Sequence, residues 1–167
     1  SSNAENNIFQ KSSEISNVEE IKKEKDTKQM TTTEISSITS ISPTLNEIEN
    51  LLNNWLENKS KFLSGGDLMD LSKIVQVNLI KRLKTDRSSD IRKNITRIIN
   101  TEILSLEYLS QSSSRISVLA KLKYSEEILD NSGNVLNTTT FNPFLKVKYI
   151  FGYSNQSWKL VEHTQLS

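Results

Sequence analysis

Cysteine is absent from the 167 residues, which removes disulfides and thiolate metal sites and leaves the redox compartment open. Histidine occurs once, at position 163, and glycine only four times. With so few of these residues there is no glycine-rich phosphate loop and no set of paired ligands at metal spacing, so neither a metal nor a cofactor is expected. No apolar run approaches the ~20 residues that cross a bilayer, and no signal peptide is visible. Any membrane attachment would come through a transmembrane helix of a longer parent chain. Hydrophobic residues make up only 35% of the sequence, so part of the chain contributes little to a core.

Charge is present in nearly equal amounts of both signs, net +1, but unevenly placed. Residues 1–43 hold five Lys against seven Asp and Glu, a net of −2, which leaves +3 for residues 44–167. Ser2-Asn3-Ala4 resembles the scar of tag removal, and residues 5–43 are polar and Ser/Thr-rich with isolated Ile. Such a stretch buries too little to offset the ~1–2 kcal/mol per residue of backbone ordering, so 1–43 is expected to be a flexible tether. Seventeen Asn, with much Lys, Ile and Ser, read as codon bias of an AT-rich genome.

The expected domain spans 44–167. Thr44-Leu-Asn-Glu47, just after Pro43, has the form of a capping box. Leu45, Ile48, Leu51, Leu52, Trp55, Leu56, Phe62 and Leu63 then recur at helical spacing until Gly65-Gly66 stops the helix. Asp67 is expected to cap a second helix through Leu68, Leu71, Ile74, Val75, Leu79 and Leu83. A short third is expected from about Asp86 to Thr96.

The period then changes to two. Strands are expected over Ile103–Leu109, Arg115–Ile128, from about Val135 with a bulge or bend at Asn142-Pro143, and in a closing hairpin. That hairpin runs Phe144–Tyr153, then Ser157–Leu166, with Gly152 and Ser154-Asn-Gln156 as its turn. The fold expected is α+β: three N-terminal helices packed on the oily face of a curved four-stranded antiparallel sheet.

Parity assigns an inner face of Leu104, Leu106, Tyr108, Ile116, Val118, Ala120, Leu122, Tyr124, Leu145, Val147, Tyr149, Phe151, Trp158 and Leu160. The outer face carries Lys121, Lys123, Lys146, Lys148, Lys159 and His163, offset by Glu107 and Glu127. Five lysines on one face would draw an acidic segment or anionic head groups; the plainer reading is a solvated face. Aromatic residues all take the buried parity, which argues against stacking of nucleic-acid bases. Glu162 shares the parity of Trp158, and a carboxylate beside an indole can have its pKa raised. No second convergent polar group accompanies it, so no catalytic residue is assigned.

The order of helices and strands resembles the nuclear-transport-factor-two-like cone, a superfold with enzymes and adaptors among its members. Within it, one family is matched over roughly 45–167. The matching stretches are Trp55-Leu-Glu-Asn-Lys59, Gly66-Asp67 leading to Leu71, and Ile103-Leu-Ser-Leu-Glu-Tyr-Leu-Ser110. Ser117-Val-Leu-Ala-Lys-Leu-Lys-Tyr-Ser-Glu-Glu127, Lys148-Tyr149 and Trp158-Lys-Leu-Val-Glu162 continue them. These resemble the C-terminal domain of the cyanobacterial and plastid division proteins, ZipN and its chloroplast relatives. His163 departs from the glycine usual there.

The resemblance implies a membrane-anchored parent that tethers the FtsZ ring, with this domain on the periplasmic side of the inner membrane. There it would bind a short C-terminal segment of another cell-division protein, without chemistry and without nucleic acid; a homodimer is left open. The docking site is expected in an inner-face cleft near Tyr149, Trp158 and Glu162, an aromatic-lined anchor for a peptide end. Lys121, Lys123, Lys146, Lys148 and Lys159 would steer the partner. Two competing readings are an isomerase- or dehydratase-like enzyme or small-molecule binder using Glu162, and a module for anionic lipid.

Overall fold

A computed structural model describes residues 41–136 and 140–166. The expected tether, apart from its last three residues, lies outside the described residues. The first helix, α1 (Leu45–Leu63), begins as its sequence dictates. The Glu47 amide donates to Thr44 Oγ1 at 3.2 Å while the Thr44 amide donates to Glu47 Oε1 at 2.9 Å, a reciprocal capping box. Its apolar stripe buries Ile48, Leu51, Leu52, Trp55 and Leu63. Gly65 leaves the helix at φ +104, and a Cβ at Gly66 would lie 2.9 Å from the Lys61 carbonyl oxygen, so the helix stops at the two glycines.

Two helices are present among the described residues, not three. Residues 67–76 are not helical. They close the free edge of the last strand instead: the Gln76 amide donates to the Leu160 carbonyl (2.9 Å) and the Leu160 amide to the Ile74 carbonyl (2.8 Å). Leu71 and Val75 are buried all the same. The second helix, α2 (Val77–Arg92), starts nine residues later than expected and absorbs most of the expected third. It ends where Asn94 takes φ +58, and the β-branched run after it enters β1 (Ile95–Gln111) directly.

The remaining strands are β2 (Arg115–Asp130), β3 (Thr140–Ser154) and β4 (Ser157–Gln165). They form one antiparallel sheet in the order β1-β2-β3-β4. β3 and β4 are joined through Asn155 and Gln156, both at positive φ, whereas Gly152 lies inside β3 opposite Arg115 and Lys159. Val135, expected to open the third strand, only bridges Leu129. Both helices cover one face of the sheet. Ile116, Val118, Ala120, Leu122, Leu145, Val147, Tyr149, Phe151, Trp158 and Leu160 are buried beneath them.

Four register shifts break the regular alternation. Leu104 and Leu109 are extra residues on β1, Pro143-Phe144 oppose Lys123 alone, and Val161 is extra on β4. A bulged residue reverses the parity of everything beyond it. Leu104, assigned to the inner face from sequence, is therefore turned out and 44% exposed, while Ile99 and Ile103 pack inward in its place.

Candidate functional site

Beneath α1, where the helix does not fully cover the sheet, a half-open cavity of about 260 Å³ remains. Its walls are Trp55 and Leu56 from α1 and Leu122, Leu145 and Val147 from the sheet. Polar groups sit among them: Lys59 on α1, Tyr124 on β2, Asn142 and Tyr149 on β3, and His163 on β4. Each is placed by its element. Lys59 lies one helical turn beyond Trp55, and its ammonium is 5.8 Å from the indole centroid. Tyr149 and His163 are paired across β3 and β4, with ring centroids 6.0 Å apart at 48°. The Tyr124 hydroxyl donates to Glu126 Oε1 (2.9 Å). Glu126 in turn accepts from Arg97, whose other nitrogens grip buried Asp90 at 2.8 and 3.1 Å.

The electrostatics of this cavity are cationic. Burial lowers the Lys59 pKa, with Arg82 adding to that; Asp86 and Glu126 act the other way through space. Among the described residues no carboxylate comes within ion-pair distance of the Lys59 ammonium. Burial, then Lys59 and Arg82, bring His163 down to about 4, so the imidazole is neutral at physiological pH. Burial also raises the Tyr149 hydroxyl well above its usual range, keeping it protonated. Such a site offers an apolar slot closed at one side by an ammonium and neutral hydrogen-bonding rings. No group of three or more His, Cys, Asp or Glu that could hold a metal occurs among the described residues.

Of the expected site residues, only Tyr149 lines this cavity. Trp158 is buried (2% exposed) outside it, its ring tilted at 44° against Tyr153 with centroids 5.3 Å apart and its indole N–H donating to the Ile41 carbonyl (3.2 Å). Glu162 is not on the inner face. The Val161 bulge turns it to the outer face, where its side chain is 56% exposed and 3.8 Å from Arg115. The same bulge turns His163, expected outside, into the cavity. An acid–base role for Glu162 thereby loses both the indole and the enclosure it required. Lys121, Lys123 and Lys146 are exposed on the outer face, and Lys148 and Lys159 are half-buried. The lysines thus lie across the sheet from the cavity.

Sequence reasoning missed Lys59, although Ile48, Leu52, Trp55 and Lys59 continue a single helical stripe. A lysine at the next inward position of an apolar stripe was the available signal.

The model of the family described as ARC6-like, IMS domain, matches residues 48–161. The chain belongs to that family. It is a family of plastid and cyanobacterial division proteins. Among solved structures, this ARC6-like domain is similar to the intermembrane space region of chloroplast protein ARC6. The TM-score is 0.57 at 16% identity, over 76% of this chain and 99% of that one, so the likeness concerns the fold. No curated protein matches the chain. No helix among the described residues of the ARC6-like domain is long and apolar enough to cross a membrane.

Proposed function

We propose that this ARC6-like domain is a non-catalytic recognition module that binds a short C-terminal segment of another cell-division protein in the cavity beneath α1. The parent would be a single-pass membrane protein holding the domain on the periplasmic side, with the residues ahead of Ile41 as its tether. The observation that carries this reading is the desolvated Lys59 ammonium in a half-open apolar cavity, with no carboxylate at ion-pair distance among the described residues and only the more distant fields of Asp86 and Glu126 acting for it. An ammonium removed from water without a directly paired carboxylate loses solvation that a ligand carboxylate would restore. The apolar walls suit the terminal side chains of a peptide, and the neutral rings of Tyr149 and His163 can hydrogen-bond its backbone. The outer lysines do not reach this cavity, so any steering by them acts only through the field of the molecule.

Anisotropy titration of labelled peptides carrying the C-termini of division proteins tests the reading, each peptide made with a free carboxylate and as an amide. Amidation of a binding peptide, and Lys59→Met in the domain, should each weaken binding by about tenfold or more. Lys146→Glu with Lys148→Glu should change only the association rate and its salt dependence. Equal affinity for acid and amide, with Lys59→Met unaltered, would sink the proposal.

A further inference from the structure

Among the described residues no helix covers the outer face of the sheet, and this face is not uniformly polar. Phe141 and Phe144 are 59% and 69% exposed, Phe144 being the most exposed large apolar side chain described. Their orientation follows from neighbours: Asn142 lines the cavity and Leu145 is buried, so strand alternation turns both rings to the opposite side. All aromatic residues are expected inside from sequence, but plain alternation from Leu145 turns Phe144 out with Lys146, and the bulge at Pro143-Phe144 turns out Phe141 as well.

Around these rings the charge is positive. Lys121 is directly opposite Lys146 in the ladder, and Lys123 faces the bulge that carries Phe144. Like charges directly opposed across a sheet destabilise it. Glu102 is opposite Lys123 on β1 and the exposed Glu107 lies diagonal to Lys121, so the three lysines meet two carboxylates and the face keeps a positive excess. Two protruding aromatic rings beside three exposed lysines on an uncovered face, with Glu102 next to Phe141, match the chemistry of a bilayer interface: rings enter the headgroup boundary while ammonium groups meet lipid phosphates.

We propose that the outer face, through Phe141, Phe144, Lys121, Lys123 and Lys146, docks the domain reversibly on an anionic lipid surface. This goes beyond the cavity reading and does not depend on it. A stacking platform for single-stranded nucleic acid fits less well, because such platforms spread aromatic residues over adjacent strands, whereas both rings here flank one proline on one strand. An acidic protein segment would satisfy the lysines without needing the rings.

The test is co-flotation of the full chain with phosphatidylcholine vesicles, with and without phosphatidylglycerol, at low and high salt. Flotation should require phosphatidylglycerol and fall with salt. Lys121→Glu with Lys146→Glu should reduce the partition constant, read from the bound fraction against lipid concentration, at least about fivefold per residue changed. Phe141→Ser with Phe144→Ser should also reduce it about fivefold or more, with circular dichroism of both variants matching the parent. No flotation, equal flotation with neutral vesicles, or flotation indifferent to either double variant overturns the proposal. So does retention of a labelled oligo-dT or polyglutamate in preference to the anionic vesicles. The peptide titration on Lys59→Met reads the cavity separately, so failure of one leaves the other standing.

Discussion

His163 is the residue whose placement changes most of the chemistry, because it brings the chain's only imidazole under α1 beside Tyr149 and near Lys59 and Arg82. Its pKa of about 4 in the fold lies below the ordinary value of 6.5. Between those two values the unfolded chain therefore holds the extra proton, and stability must fall as the pH is lowered through that window. The contribution is fully present above 6.5, with a ceiling of about 3 kcal/mol that partial solvent access reduces. Urea unfolding at pH 7 and pH 4.5 should show His163→Gln losing less stability than the parent, by about 1–2 kcal/mol. Parallel losses would mean that the imidazole titrates as it does in water. Nothing in the local sequence announces this environment. Val161 is a good strand residue, and a bulge needs neither glycine nor proline, so parity counted from Trp158 puts Glu162 where His163 belongs.

Elements were readable in proportion to how local their causes are. The start of α1 is encoded within four residues, Thr44 to Glu47, and the structure has it there. The inner faces of β2 and β3 follow from uninterrupted alternation, and Ile116 to Leu122 and Leu145 to Phe151 are buried accordingly. Residues 67–76 read as helix because their apolar spacing fits one, but backbone bonding to β4 at Leu160 competes with helical bonding and wins. The expected third helix had the weakest stripe, and it hid the element that joins α2 to the sheet. Asp90, 2% exposed at the end of α2, holds Arg97 on β1, and Arg97 holds Glu126 on β2. Asp90→Asn leaves a guanidinium half-buried with one weaker partner, so it should destabilise by about 3 kcal/mol. Chemical denaturation measures the loss. Because Glu126 orients the Tyr124 hydroxyl in the cavity, Asp90→Asn should also weaken peptide binding, whereas a purely surface ion pair would cost under about 1 kcal/mol and leave binding alone.

For the molecule as a whole, the boundary at residue 44 cuts through a packed contact. Pro43 is buried. Its carbonyl accepts from the Tyr108 hydroxyl (3.2 Å) on β1, and the Ile41 carbonyl accepts from the Trp158 indole on β4. The three residues ahead of α1 therefore tie the two outermost strands to the start of the helix, which no apolar pattern in Ile41-Ser42-Pro43 discloses. A chain beginning at Thr44 strands the Trp158 N–H, at a cost of about 1–3 kcal/mol unless water enters to take the bond. Water that does enter replaces an apolar neighbour of the indole, so its fluorescence reports either outcome. A chain beginning at Ile41 should match the full sequence in stability and emission. One beginning at Thr44 should unfold at lower denaturant and show a red-shifted tryptophan spectrum, while Trp158→Phe should erase most of the spectral difference between the two. If both truncations unfold and emit alike, the Ile41–Pro43 segment contributes nothing to the domain and the boundary at 44 stands.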